Sequence, residues 1–260
     1  MADTILVHDR GGPIVTVVLN RPEKLNALTR PMWKRLGEVF AELSSDVGVR
    51  CIVIRGAGTK AFAPGNDISE FESERSNVEQ ARAYGEDMRR TIDAIAQCRH
   101  PIVAQIHGIC VGGGLEIAGL ADIRICGESS RFGVPINKLG LTMAYAEIGS
   151  LISLAGEATA LEILLEGRVF DAREARDKGL VTRVVPDDQV ESEARESAQR
   201  IADGAPLVAR WHKKFARRLR DAAPLTAAEY EEGFACFGTG DFRTGYQAFL
   251  AKRKPEFRGE

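Results

Sequence analysis

Two glycine-bearing segments in the first half of the chain can turn backbone N–H groups toward a ligand. In the first, Lys60-Ala61-Phe62-Ala63-Pro64-Gly65-Asn66-Asp67-Ile68, small residues and Gly65 let a ligand come close to the main chain. A turn there leaves the Asn66 N–H free to face a ligand oxygen, with Asp67 and Ser69 opening the next segment. Taken alone, the segment reads rather as an ordinary turn closing a strand. In the second, His107-Gly108-Ile109-Cys110-Val111-Gly112-Gly113-Gly114-Leu115-Glu116, the glycines stand at the start of a helix. Exposed N–H groups and about half a positive charge from the helix dipole suit an anion or a developing oxyanion. Neither GxGxxG nor GxxxxGK[ST] is present, so a nucleotide phosphate is not the natural ligand. Glu116, in the first helical turn, suits stabilisation of the helix start as well as acid–base work, and the pattern leaves both open.

Other chemistries find less support. The five cysteines, Cys51, Cys98, Cys110, Cys126 and Cys236, are odd in number and form no CxxC pair. They read as free thiols in a reducing compartment. The four histidines are scattered, without an i,i+4 partner, so no metal site is expected. No GxSxG elbow indicates an acyl-enzyme hydrolase. The basic stretch Trp211 to Arg220 reads as the charged face of an amphipathic helix, because a formal net charge of −2 gives no general pull on nucleic acid. No run approaches the roughly 20 apolar residues of a membrane span. The first residues lack a signal-peptide pattern, and a cytoplasmic protein is expected.

The elements that must position these segments alternate in the first half. Thr4–Val7 and Ile14–Leu19 read as strands joined by a hairpin at Gly11-Gly12-Pro13. Thr29 and Pro31 start a helix to about Ser45. Strands are expected at Cys51–Arg55, Pro101–Ile106 and Ile123–Cys126, a loop at 60–67, and a short helix at Leu115–Ala121. Ser76 to Glu79 resembles a capping box for a helix running to about Gln97. After Pro135 helical patterns dominate: 145–154, 157–165, 172–178, 188–202, 207–219, 227–237 and 242–252. Parallel-type α/β layers with a helical C-terminal module follow from this order.

Taken together, the segments resemble the enoyl-CoA hydratase/isomerase (crotonase) family. The matching pieces are Leu19 to Leu28, Ala61 to Asp67, His107 to Glu116 and on to Asp122, Phe132-Gly133-Val134-Pro135, Gly167 to Val185, and the tail Ala248 to Lys254. The resemblance implies a crotonase-like spiral of ββα units over residues 1–195 and a helical trimerisation module over 196–260. It implies homotrimers, often paired as hexamers, and an acyl-CoA substrate, with coenzyme A entering as part of the substrate and no tightly bound cofactor. By position, the N–H groups of Asn66 and Gly113 would form the oxyanion hole that stabilises a thioester enolate. Lys60, Ala63, Asn66, Asp67, Ile68 and Ser69 would hold the CoA, with Lys24, and Lys252 from a neighbouring subunit, as phosphate contacts or plain surface lysines.

One position departs from the family pattern. Hydratases of this family use two glutamates; Glu116 matches the first, and the second, just after Phe-Gly-x-Pro, is Ile136. An isoleucine neither holds water nor transfers a proton. Glu147 and Tyr145 are candidates to assist Glu116, and Glu147 facing solvent or a basic neighbour is the competing expectation. Hydration or double-bond isomerisation of an enoyl-CoA is the expected activity. The alternatives are decarboxylation of a malonyl-type CoA, or a non-catalytic acyl-CoA-binding or RNA-binding member.

Overall fold

β-branching and alternation shape the opening of the chain, which the computed structural model describes over residues 4–260. Strand β1 (Ile5–His8) pairs antiparallel with β2 (Ile14–Leu19), Ile5 opposite Leu19. The turn between them uses Gly11 at φ 92° and a bond from Gly12 N–H to the Asp9 carbonyl. Helix α1 (Arg30–Ser45) follows, capped by the Thr29 hydroxyl. Its apolar stripe, Met32, Trp33, Leu36, Val39, Phe40 and Leu43, is fully buried. Each such side chain contributes about 1.5–3 kcal/mol.

From there the chain repeats one pattern. Three times it lays a strand in a large sheet, then a three-residue strand in a small sheet, then a helix, and the last turn reverses the order, with a small-sheet strand, a helix and then a large-sheet strand. The large-sheet strands are β3 (Cys51–Gly56), β5 (Ile102–Ile106), β7 (Ile123–Gly127) and β10 (Arg183–Val185). The small-sheet strands are β4 (Ala61–Ala63), β6 (Ile109–Val111), β8 (Arg131–Gly133) and β9 (Val169–Asp171). The six-stranded sheet runs β1-β2-β3-β5-β7-β10, parallel beyond the first hairpin, and the four-stranded sheet runs β4-β6-β8-β9. Helices α2 (Phe71–Glu74) and α3 (Val78–Gln97) follow β4, α4 (Gly113–Gly119) follows β6, α5 (Tyr145–Ala155) and α6 (Glu157–Glu166) follow β8, and α7 (Ala172–Asp177) links β9 to β10.

Several expectations are corrected. The small sheet lies where a loop and a glycine-rich stretch were expected, because strands this short carry no alternation and are held by distant partners. Helix α4 starts at Gly113 rather than Leu115. The cap of α3 is shifted by one: Asn77 accepts from Gln80 N–H, while the Gln80 side chain accepts from Ser76. The helix expected at 227–237 splits into α10 (Ala227–Glu232) and a 3-10 turn at Ala235–Gly238. The boundary expected at residue 195 falls inside α8 (Val190–Ala202), whose Ala194 and Ala198 pack with Cys51, Val53, Val103 and Ile125 of the large sheet. Beyond it, α9 (Pro206–Arg218), α10 and α11 (Gly240–Leu250) leave Phe234, Phe237 and Phe249 largely exposed. The basic residues of α9 are engaged within the chain: Lys213 and Arg217 with Asp122, Lys214 with Glu232, Arg218 with Glu229.

Candidate active site

The two glycine-bearing turns meet because neither carries a Cβ at the contact. An ideal Cβ on Gly65 would lie 3.1 Å from the Gly113 nitrogen, and one on Gly114 would sit 2.1 Å from the Ala63 carbonyl oxygen. Gly65 at φ 105° and Gly112 at φ 55° take backbone conformations that favour glycine. Beside Leu28 the segment forms a short parallel bridge: Leu28 N–H donates to the Gly65 carbonyl and Asp67 N–H to the Leu28 carbonyl, each at 2.8 Å. Successive N–H groups of an extended chain face opposite ways. The Asn66 N–H therefore turns from Leu28 toward the Gly113 side. Neither the Asn66 N–H nor the Gly113 N–H has a hydrogen-bond acceptor among the described residues, and both residues border one cavity of about 430 Å³. The Asn66 side chain is held from behind, its Oδ1 accepting from Trp33 Nε1 at 2.6 Å and its Nδ2 against Met88 Sδ at 3.7 Å.

Two carboxyls enter the same cavity. Glu116, 9% exposed, stands in the first turn of α4, with its own N–H on the Gly112 carbonyl and its Oε1 unpartnered. Burial raises its pKa well above the ordinary 4.5; the negative charge of Glu147 adds to the rise and Arg75 opposes it. Glu147, in the first turn of α5, uses Oε2 to accept from Ala144 N–H at 2.7 Å. Burial raises its pKa too, against the pull of the Ala144 N–H and of Arg75. A void of about 20 Å³ adjoins both glutamates, room for a single water. Ile136, Val134, Met88 and Met143 supply apolar wall. A wider groove of about 1000 Å³ runs past Ile92, Leu154, Ile201 and Ala209 on another face, but neither glutamate nor either glycine turn lines it.

Of the residues picked from sequence, the structure brings together Asn66, Gly113, Glu116 and Glu147, with Ile68 and Asp67 at the rim. Glu147 faces the cavity rather than solvent. Tyr145 does not join it, being 97% exposed on the other side of the same turn. The Asp67 carboxylate is committed to the chain: it takes Arg21 at 3.0 Å and the Ser69 N–H and hydroxyl, which lowers its pKa. Ala63 lies buried behind the turn, and Lys24, Lys60, Ser69 and Lys252 lie outside the cavity lining in their own chain. Burial raises the Cys110 thiol's pKa well above its ordinary value, which removes it as a nucleophile. Trp33 and Arg75 were not singled out from sequence. An indole within a helical apolar stripe reads as core, and a lone arginine after an acidic stretch gives no local signal.

Residues 9–260 match the family described as enoyl-CoA hydratase/isomerase. A probable enoyl-CoA hydratase of Mycobacterium tuberculosis is 35% identical over 257 residues, 98% of each chain. A short-chain-enoyl-CoA hydratase of Clostridium acetobutylicum is 32% identical over 253 residues, 96% of each. Among solved structures, an enoyl-CoA hydratase/carnithine racemase from Magnetospirillum magneticum superposes with a TM-score of 0.97 at 51% identity, covering 100% of this chain and 97% of that one. The chain is a member of the enoyl-CoA hydratase/isomerase family, with the crotonase fold and the enzymatic class of that family.

Proposed function

We propose that the chain adds water across the double bond of an enoyl-CoA, with Glu147 standing in for the acid that position 136 lacks. The observation that carries this reading is the entry of Glu147 into the cavity that Glu116 and the two free N–H groups border. The thioester oxygen accepts from Asn66 N–H and Gly113 N–H, which stabilise the enolate; each such donor is typically worth about 3–4 kcal/mol in the transition state. Two like charges in an apolar cavity disfavour each other, so the pair works with one proton between them. Glu116, the more deeply buried, keeps the proton and delivers it to the α-carbon. Glu147, whose carboxylate accepts from the Ala144 N–H, is ionised and takes a proton from the water that attacks the β-carbon. Glu116 ends as carboxylate and Glu147 as acid, and proton exchange through solvent restores the pair.

The same reading places CoA along the Asn66–Ser69 rim, with Lys24, Lys60 and a neighbouring subunit's Lys252 as phosphate contacts, no tightly bound cofactor, and a cytoplasmic setting. The exposed Phe234, Phe237 and Phe249 of the C-terminal helices support a homotrimer or dimer of trimers.

The test is loss of enoyl absorbance with crotonyl-CoA. Wild type is expected to hydrate it, and Glu147→Gln to lower kcat about 10²-fold with KM little changed. Unchanged kcat in Glu147→Gln would remove Glu147 from the mechanism. Solvent deuterium entering the α-carbon without hydration would move the chain to the isomerases.

A further inference from the structure

Arg75 stands at the end of α2 on the wall of the cavity that holds Glu116 and Glu147. Its guanidinium lies over two rings at once, 4.9 Å from the Phe71 centroid and 4.8 Å from that of Tyr84. Contact with both rings restrains the guanidinium without using the N–H groups along its edge. That edge has no carboxylate or carbonyl acceptor among the described residues, whereas the nearby Arg30 is taken by Glu74 and Asp87 and Arg21 by Asp67. A half-buried, restrained guanidinium without an acceptor in a largely apolar cavity is built for an anion brought by the ligand.

The anion is not the reacting thioester, whose oxygen goes to Asn66 and Gly113. The phosphates of CoA are the other source to consider, and the whole pantetheine arm separates them from the thioester. Arg75 lines the same cavity as Asn66, Gly113, Glu116 and Glu147, so it sits at the acyl end. The neighbouring wall, Phe71, Met88 and Met143, offers no other cation.

We infer that Arg75 selects acyl groups ending in a carboxylate, making the substrate the mono-CoA thioester of an unsaturated dicarboxylic acid. This rests on the hydration reading above. It also sets the chain apart from one taking a quaternary-ammonium acyl group, which a guanidinium in the same cavity repels.

The experiment compares kcat/KM for crotonyl-CoA and for glutaconyl-CoA, its analogue with a terminal carboxylate, in wild type, Arg75→Leu and Arg75→Lys. Wild type is expected to favour the carboxylated substrate about tenfold or more, and Arg75→Leu to lower that ratio about 10- to 100-fold. Arg75→Lys, which keeps the charge and loses the planar fork, is expected to fall between them. A wild-type preference for crotonyl-CoA overturns the proposal. So does an Arg75→Leu variant that loses both substrates equally with a shifted pH profile, because the arginine would then act only through the glutamates. Calorimetric binding of glutaryl-CoA, butyryl-CoA and free CoA gives a readout independent of turnover. If wild type turns over neither enoyl-CoA, the hydration reading fails while binding still decides the anion site. Tighter binding of glutaryl-CoA, lost in Arg75→Leu, supports it. A loss of free CoA binding of the same size assigns Arg75 to the phosphates and overturns it.

Discussion

The two walls of the cavity are made of different material. The wall bearing Asn66 and Gly113 is main chain against main chain, with Gly65, Gly112 and Gly114 allowing a contact that no side chain would fit. The facing wall is made of side chains on short elements: Glu147 in the first turn of α5, Ile136 in a 3-10 turn at Pro135–Leu139, and Arg75 at the end of α2. The first wall leaves almost no room for an added side chain, and the second presents its chemistry on side chains. On the function proposed above, the fold itself therefore dictates carbonyl polarisation, while proton transfer and acyl preference depend on a few side chains. Ile136 without an acid and Glu147 with one both line that second wall.

The strongest way to break this contrast is Glu116→Gln, which removes proton delivery from a site whose N–H groups stay intact. We expect kcat with an enoyl-CoA to fall about 10³-fold, ~4 kcal/mol in the barrier. A loss below tenfold in steady-state assays would leave Glu116 a helix-start acid and nothing more. On the main-chain wall, Gly114→Ala is expected to cost about 2–3 kcal/mol of stability, read from urea midpoints, since the new methyl meets the Ala63 carbonyl. An unchanged midpoint would mean that this wall yields as readily as the other.

The pH dependence of stability sharpens the comparison further. Glu116 is held above its ordinary 4.5 by burial, so the folded state binds that proton more tightly than the unfolded chain. The resulting stabilisation is complete below about 4.5 and is lost as pH rises through the raised folded value. Wild-type Tm should fall across that rise, and Glu116→Gln should flatten the fall and gain about 2–4 °C at neutral pH, the shift that ~1 kcal/mol gives in a chain of this size. A variant that melts lower at neutral pH than wild type would contradict this. The smallest effect is expected from Asn66→Ala, which keeps the N–H and releases the side chain from Trp33. About fivefold in kcat/KM corresponds to one lost hydrogen bond of ~1 kcal/mol. A hundredfold loss would put the amide side chain itself on the reacting atoms.

Much of this molecule can be read locally. The Thr29 cap and the Met32–Leu43 stripe specify α1, the β-branched run at Cys51 specifies a central strand, and the three glycines before Glu116 announce a helix start with open donors. Family resemblance then joined Asn66 to Gly113 across the intervening chain. The four short strands of the small sheet were not legible, because their stability comes from partners far along the sequence rather than from their own pattern. Nor did the chain by itself say that the indole of Trp33 would steady Asn66.

What residue type and spacing determined, then, is the set of elements and the two turns able to offer N–H groups, since caps, apolar periodicity and glycine act within a few residues of themselves. Only tertiary structure decided that Glu147 enters the cavity while Tyr145, two residues earlier, points to solvent, and that Arg75 is held over two rings with its N–H edge free. Those outcomes depend on where separate segments of the chain come to lie against each other, and burial, charge coupling and ring stacking exist only once they do.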